Sequence, residues 1–64
     1  MTVDADIWRA ARLLIKQHGE NAQIVSLERH AQMLMRQDFD GAEMWSQIGE
    51  AVKELQMPPL GRAH

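Results

Sequence analysis

The sequence contains no cysteine, and its only two prolines stand next to each other near the C-terminal end. Without cysteine the chain has no disulfide framework, no thiol nucleophile and no cysteine-based zinc site. Apolar runs such as Leu13 to Ile15 are far shorter than the ~20 residues that a membrane span needs. Asp4 and Asp6 lie where a secretory or transit signal would carry basic residues. We therefore expect a soluble cytoplasmic protein.

An excess of basic residues is also missing. Seven Lys and Arg against nine Asp and Glu give a net charge of -2 and a pI near 5.8, which argues against a dedicated nucleic-acid binder. The 64 residues allow one small domain. Its apolar burial would stabilise the fold by about as much as ordering the chain costs. Because no disulfide is available, we expect self-association or a partner to add stability.

Apolar residues recur at helical spacing. Three segments show this pattern: about 4–18, 22–37 and 41–56. Alternation with a period of two is absent, so strands are not expected. The short connections imply antiparallel neighbours, and Pro58-Pro59 prevents the third helix from continuing. We expect an all-α fold, a compact three-helix bundle over residues 1–57 with a flexible, proline-containing tail over 58–64.

Each segment carries an apolar stripe that we expect to form the core. In the first helix the stripe is Ile7, Ala11, Leu14, Ile15 and His18, flanked by Trp8 and Ala10. In the second helix it is Ile24, Leu27, Ala31, Leu34 and Met35. In the third helix it is Met44, Trp45, Ile48, Ala51, Val52 and Leu55.

The helix ends carry recognisable capping residues. Gly19 suits the left-handed position that follows the first helix. The expected N-caps are Asp4 or Asp6 for the first helix, Asn21 for the second, and Asp40 with Glu43 at capping-box spacing for the third.

The residues that usually carry chemistry form no recognised motif. His18 lies in the last turn of the first helix, where a structural role is expected, His30 lies at the margin of the second helix's stripe, and His64 is terminal. Their spacing does not fit a metal site, so no metal and no cofactor are expected. Segment 38–41 resembles part of a calcium loop, but Gln47 would stand where a bidentate Glu belongs. Ser26 and Ser46 lie outside any nucleophile elbow, and we expect no catalytic residues and no enzyme.

The side of the second helix opposite its stripe mixes apolar and basic residues. We predict that this outer side binds a protein partner or a second copy, through Val25, Arg29, Met33 and Arg36. Two charged stripes are expected to steer that approach. They are Arg9, Arg12 and Lys16 on the first helix, and Glu43, Glu50 and Glu54 on the third. The main hypothesis is a small non-enzymatic interaction module, either a homodimer or an accessory subunit. An inhibitor of a host enzyme, of the kind that phages encode, fits equally well.

A small nucleic-acid-binding regulator is the alternative. In a helix-turn-helix the third helix would read DNA, but its exposed glutamates would repel phosphates. This alternative therefore depends on the basic face of the first helix, Arg9, Arg12 and Lys16.

Several positions along residues 5–56 carry a family resemblance. They are Trp8, Ala11, His18, Gly19, Ala22, Asp38, Gly41, Trp45, Ile48, Ala51 and Leu55. On these residues the sequence resembles a group of short helical proteins from alphaproteobacteria, classed as a domain of unknown function. The resemblance implies a bacterial cytoplasmic protein of helical fold, and it implies no activity or functional residues.

Overall fold

Three α-helices and one 3-10 helix make up most of residues 5–57, the part of the chain that the computed structural model describes. They are α1 (Ala5–His18), a 3-10 helix (Gly19–Asn21), α2 (Ala22–Met35) and α3 (Phe39–Gln56). No strand occurs in these residues. The all-α class and the three-helix bundle are therefore confirmed, whereas the expected cap Asp4 and the expected tail 58–64 lie outside the described residues.

The junction between α1 and α2 bends at a glycine, as expected. Gly19 has a φ of +58°, a conformation that costs side-chain-bearing residues free energy. The side-chain amide of Gln56 donates to the Gly19 carbonyl at 2.9 Å. The C-terminal end of α3 therefore lies beside this junction. Asn21 occupies the N-cap position of α2, as predicted, but its side chain makes no capping hydrogen bond.

The turn from α2 to α3 satisfies the ends of both helices. Gln37 adopts a left-handed φ of 61°, and the amide of Asp38 donates to the Met33 carbonyl at 2.8 Å. This is the Schellman arrangement with glutamine in the usual glycine position. The Asp38 side chain then accepts from the Gly41 amide at 2.9 Å. The N-cap of α3 is therefore Asp38 and not Asp40, and the helix begins two residues earlier than predicted because the earlier aspartate supplies the capping carboxylate.

Helices α2 and α3 lie side by side in opposite directions. Met33 lies next to Gly41 near the turn, and Ser26 lies next to Gly49 farther from it. This pair forms the most extensive helix–helix contact among the described residues, and α1 packs mainly against α3. The antiparallel arrangement expected from the short connection is confirmed for α2 and α3.

The core is assembled from α1, α3 and one end of α2. Its buried residues are Ile7, Ala11, Leu14, Ala22, Ile48, Ala51 and Val52. The predicted stripe of α1 is confirmed at Ile7, Ala11 and Leu14, while His18 is exposed. The middle of α3 is buried as predicted, and Met44 and Leu55 near its ends are 45% and 42% exposed.

The predicted core stripe of α2 is wrong. All five of its residues are exposed: Ile24, Leu27, Ala31, Leu34 and Met35. Instead α2 buries Ala22 and Ser26, which lie on the opposite side of the helix. The helix is therefore turned by about half a revolution from the orientation that its largest apolar side chains predict.

None of the helices in the described part of the chain is long and apolar enough to cross a membrane.

Candidate functional site

The exposed side of α2 is the candidate functional site. We call it the α2 apolar face, and it consists of Ile24, Leu27, Ala31, Leu34 and Met35. Its four large side chains are between 44% and 85% exposed. Scattered exposed apolar residues are common, but several along one side of a helix form a contiguous surface of the kind that contacts other molecules. The face extends along nearly the whole of α2.

Small residues explain why α2 presents this face outward. Ser26, only 1% exposed, is held against α3 at Gly49, where an added Cβ would come within 2.9 Å of the Ser26 Oγ atom. An added Cβ at Gly41 would come within 2.8 Å of the Met33 sulfur. The two helices therefore approach most closely where Ser26 meets Gly49, and Met33 fits against α3 because Gly41 has no side chain. Large side chains such as Leu27 and Leu34 would not fit there, so they lie on the other side.

The partner-binding residues predicted from the sequence lie elsewhere than expected. Val25 is half-buried and packs against the core, and Met33 is half-buried beside α3. The guanidinium of Arg29 lies 5.4 Å from the ring centroid of Trp45, within cation–π range. Arg36 is exposed at the C-terminal end of α2. The prediction that Val25, Arg29 and Met33 form the outer side of the bundle is therefore wrong, because this side faces α3 and the core.

A shallow groove of about 160 Å³ lies on the surface between α2 and α3, next to the α2 apolar face. Leu27, His30, Trp45, Glu50 and Lys53 are among the residues that line it. Pockets for small organic ligands usually enclose about 300–1,000 Å³, so this groove is small for such a ligand. Leu27 belongs both to the groove and to the α2 apolar face, so the two surfaces are continuous.

His30 connects the two helices beside this groove. Its Nδ1 atom lies 2.7 Å from the Ala42 carbonyl oxygen, so Nδ1–H donates to the backbone of α3. In the neutral ring this bond assigns the lone pair to Nε2. The half-buried ring fixes α2 against α3, and this structural contact was not foreseen from the sequence.

The described residues show no group of three or more His, Cys, Asp or Glu side chains that could hold a metal ion. His18 is exposed at the end of α1. His64 lies outside the described residues.

Both predicted charged stripes lie on the surface. Arg9, Arg12 and Lys16 are exposed along α1, and Glu43, Glu50 and Glu54 are exposed along α3. The Arg9 guanidinium also contacts the carboxylate of Asp6 at 3.2 Å. Both partners of this ion pair are exposed, so it contributes little stability.

No family model matches the chain, and neither a curated protein nor a solved structure matches it.

Proposed function

We propose that the chain is a non-enzymatic helical interaction module, or an accessory subunit, in the bacterial cytoplasm. The observation that carries this proposal is the outward orientation of the α2 apolar face. The α2 apolar face takes the place of the contact surface predicted from the sequence, and the proposed function is still that of an interaction module. The partner is a protein, because a long apolar face on one helix suits helix packing better than a polar ligand.

The free energy available at this face is substantial for so small a chain. Full burial of a Leu, Ile or Met side chain contributes about 1.5–3 kcal/mol. Ile24, Leu27 and Met35 are 54%, 62% and 85% exposed, so each has most of its contact area still open to a partner. Burial of this surface would add stability to a chain that has no disulfide.

The charged stripes support fast association with a partner. The basic stripe on α1 and the acidic stripe on α3 are exposed and opposite in sign. Separated charges of this kind orient an approaching protein and raise its association rate more than its affinity.

The geometry around His30 favours a structural over a catalytic role. A general base must have a nitrogen free to reach substrate in a pocket that encloses it. Nε2 of His30 remains free, but the neighbouring groove of about 160 Å³ is small for a substrate.

Quantitative affinity capture tests the proposed function. The wild-type chain and Leu27→Glu serve as baits in the same native cell extract, and captured proteins are quantified by mass spectrometry. Leu13→Glu is the matched control, because Leu13 on α1 is 53% exposed and receives the same charge. We expect a captured protein, either another protein or the untagged chain itself, to be lost with Leu27→Glu and retained with Leu13→Glu. Equal capture by all three baits would contradict a role of the α2 apolar face.

The basic stripe on α1 supports nucleic-acid binding as a second candidate function. Arg9, Arg12 and Lys16 are all exposed on that helix. Binding to mixed-sequence DNA should then weaken steeply with salt, because each neutralised phosphate releases counterions. Absence of binding at low salt, or binding that is unchanged in Arg12→Ala/Lys16→Ala, would rule out nucleic-acid binding through the basic stripe.

A further inference from the structure

Four residues of the α2 apolar face follow the spacing of a coiled-coil seam. Ile24, Leu27, Ala31 and Leu34 are separated by three, four and three residues. This is the spacing of positions a and d in a heptad repeat, with Ile24 and Ala31 at a and Leu27 and Leu34 at d. The order of these spacings (three, four, three) is the same whether the helix is read from its N-terminus or from its C-terminus. A second α2 helix running the opposite way therefore presents its apolar side chains at the same spacing.

The face carries no charge that would select a partner of opposite sign. Its five members are all apolar, and Glu28, at its edge, is the acidic residue within α2. An acidic or basic partner helix would gain no matching charges along the seam. A second copy of the same face needs none.

The side-chain sizes favour an antiparallel pair over a parallel one. In a parallel pair Ala31 would face Ala31 of the other copy, which leaves a gap in the middle of the seam. In an antiparallel pair Leu27 of one copy faces Ala31 of the other, and Ile24 faces Leu34. Large residues then lie opposite small ones at the centre, so the layers interdigitate.

The apolar area of the face indicates which class of interface such a pair would form. Burying one Leu, Ile or Met removes on the order of 100 Å² of apolar surface. The four large side chains, 44–85% exposed, therefore offer each copy about 250 Å². Two copies would together bury about 500 Å² of this apolar surface, far below the ~2,000 Å² of an obligate dimer, so such a pair belongs to the weak, transient interfaces below about 1,200 Å². A second copy brings an equal apolar area, which a partner with an ordinary polar surface does not.

We propose that the partner seated on the α2 apolar face is a second copy of this chain, packed antiparallel through α2 as a weak dimer with two-fold symmetry. This inference rests on the proposed function and specifies its partner. The two copies exchange equivalent contacts, as a two-fold interface requires. In each copy, α1 and α3 lie on the side of α2 that faces away from the other copy.

Sedimentation equilibrium over protein concentrations from about 10 µM to about 1 mM tests the dimer. We expect the average mass to rise from the monomer value of 7.3 kDa towards twice that value. Leu27→Glu should weaken association more than about tenfold, because it places a carboxylate in the seam. Leu13→Glu, outside the seam, should associate like the wild type, and circular dichroism confirms that both variants are folded.

Cysteine pairing tests the orientation, since the natural chain has no cysteine. An oxidised mixture of Leu27→Cys and Ala31→Cys should form the mixed disulfide in preference to either homodimeric disulfide. Preference for the homodimeric disulfides would overturn the antiparallel arrangement. A monomer at every concentration would overturn the second-copy inference, while loss of a different protein from the Leu27→Glu bait would still support the proposed function.

Discussion

The Ser26 side chain occupies the space that a Cβ atom on Gly49 would need. The Oγ atom lies 2.9 Å from that position, and it donates at 2.8 Å to the Gln23 carbonyl. Ser26 is buried, so it has little room to move away. The close approach of α2 and α3 at this point leaves no room for a larger side chain, so the larger apolar residues of α2 lie on the side that faces solvent.

Gly49→Ala should destabilise the fold by about 1 kcal/mol. Alanine in place of glycine inside a helix normally stabilises by about 1 kcal/mol. Here the new methyl group overpacks against Ser26, at a cost of about 1–3 kcal/mol. Urea denaturation measures the difference.

The double variant Ser26→Ala/Gly49→Ala supplies the control. The Ser26 Cβ atom lies at 3.6 Å, an ordinary contact distance. Gly49→Ala should therefore stabilise the Ser26→Ala background by about 0.5–1 kcal/mol. The same stabilisation in the wild-type background would mean that the helices do not approach closely at this point.

Met33→Glu should destabilise the chain, whereas Leu27→Glu should not. Met33 is half-buried beside Gly41, so a carboxylate there loses solvation and contact, at a cost of about 2 kcal/mol. Leu27 is 62% exposed, and its replacement should change the unfolding free energy by less than about 0.5 kcal/mol. Thermal unfolding at low concentration separates this effect from self-association. If α2 were oriented as the sequence predicts, Leu27→Glu would destabilise the chain more than Met33→Glu.

The sequence predicts the helices better than it predicts the rotation of α2. The buried residues of α1 and the middle of α3 follow the rule that large apolar side chains face inward, and Gly19 lies where the left-handed bend was expected. In α2 this rule fails, because Ser26 and Met33 contact α3 and Ala22 is buried in the core, while the larger residues are exposed. The signal that could have revealed it is Gly49, a glycine in the interior of a helix where it is intrinsically unfavourable. Such a glycine indicates close approach of another backbone.

Asp38→Ala should cost about 1 kcal/mol of stability, and Asp40→Ala should cost less than about half of that. The Asp38 carboxylate accepts from the Gly41 amide, whereas Asp40 lies inside the first turn and interacts only with the helix dipole. Chemical denaturation of the two variants compares them directly. A larger loss in Asp40→Ala would support the cap predicted from the sequence over the one observed.

Gln37→Gly should stabilise the chain by about 0.5–1 kcal/mol. Gln37 has a positive φ, which is unfavourable for any residue with a Cβ atom and suits glycine. Gln47→Gly is the control, because Gln47 is an exposed residue within α3. That variant should lose about 1 kcal/mol. Destabilisation by both substitutions would contradict the left-handed conformation of Gln37.

Thiol labelling of cysteine variants tests the orientation of α2, on which the proposed function depends, most directly. Ala31 is exposed on the α2 apolar face, and Ala22 is fully buried on the opposite side of the helix. In dilute native protein, Ala31→Cys should react as fast as an unfolded thiol, and Ala22→Cys should react only when the chain unfolds. Fast labelling of Ala22→Cys together with protection of Ala31→Cys in the monomer would contradict the account.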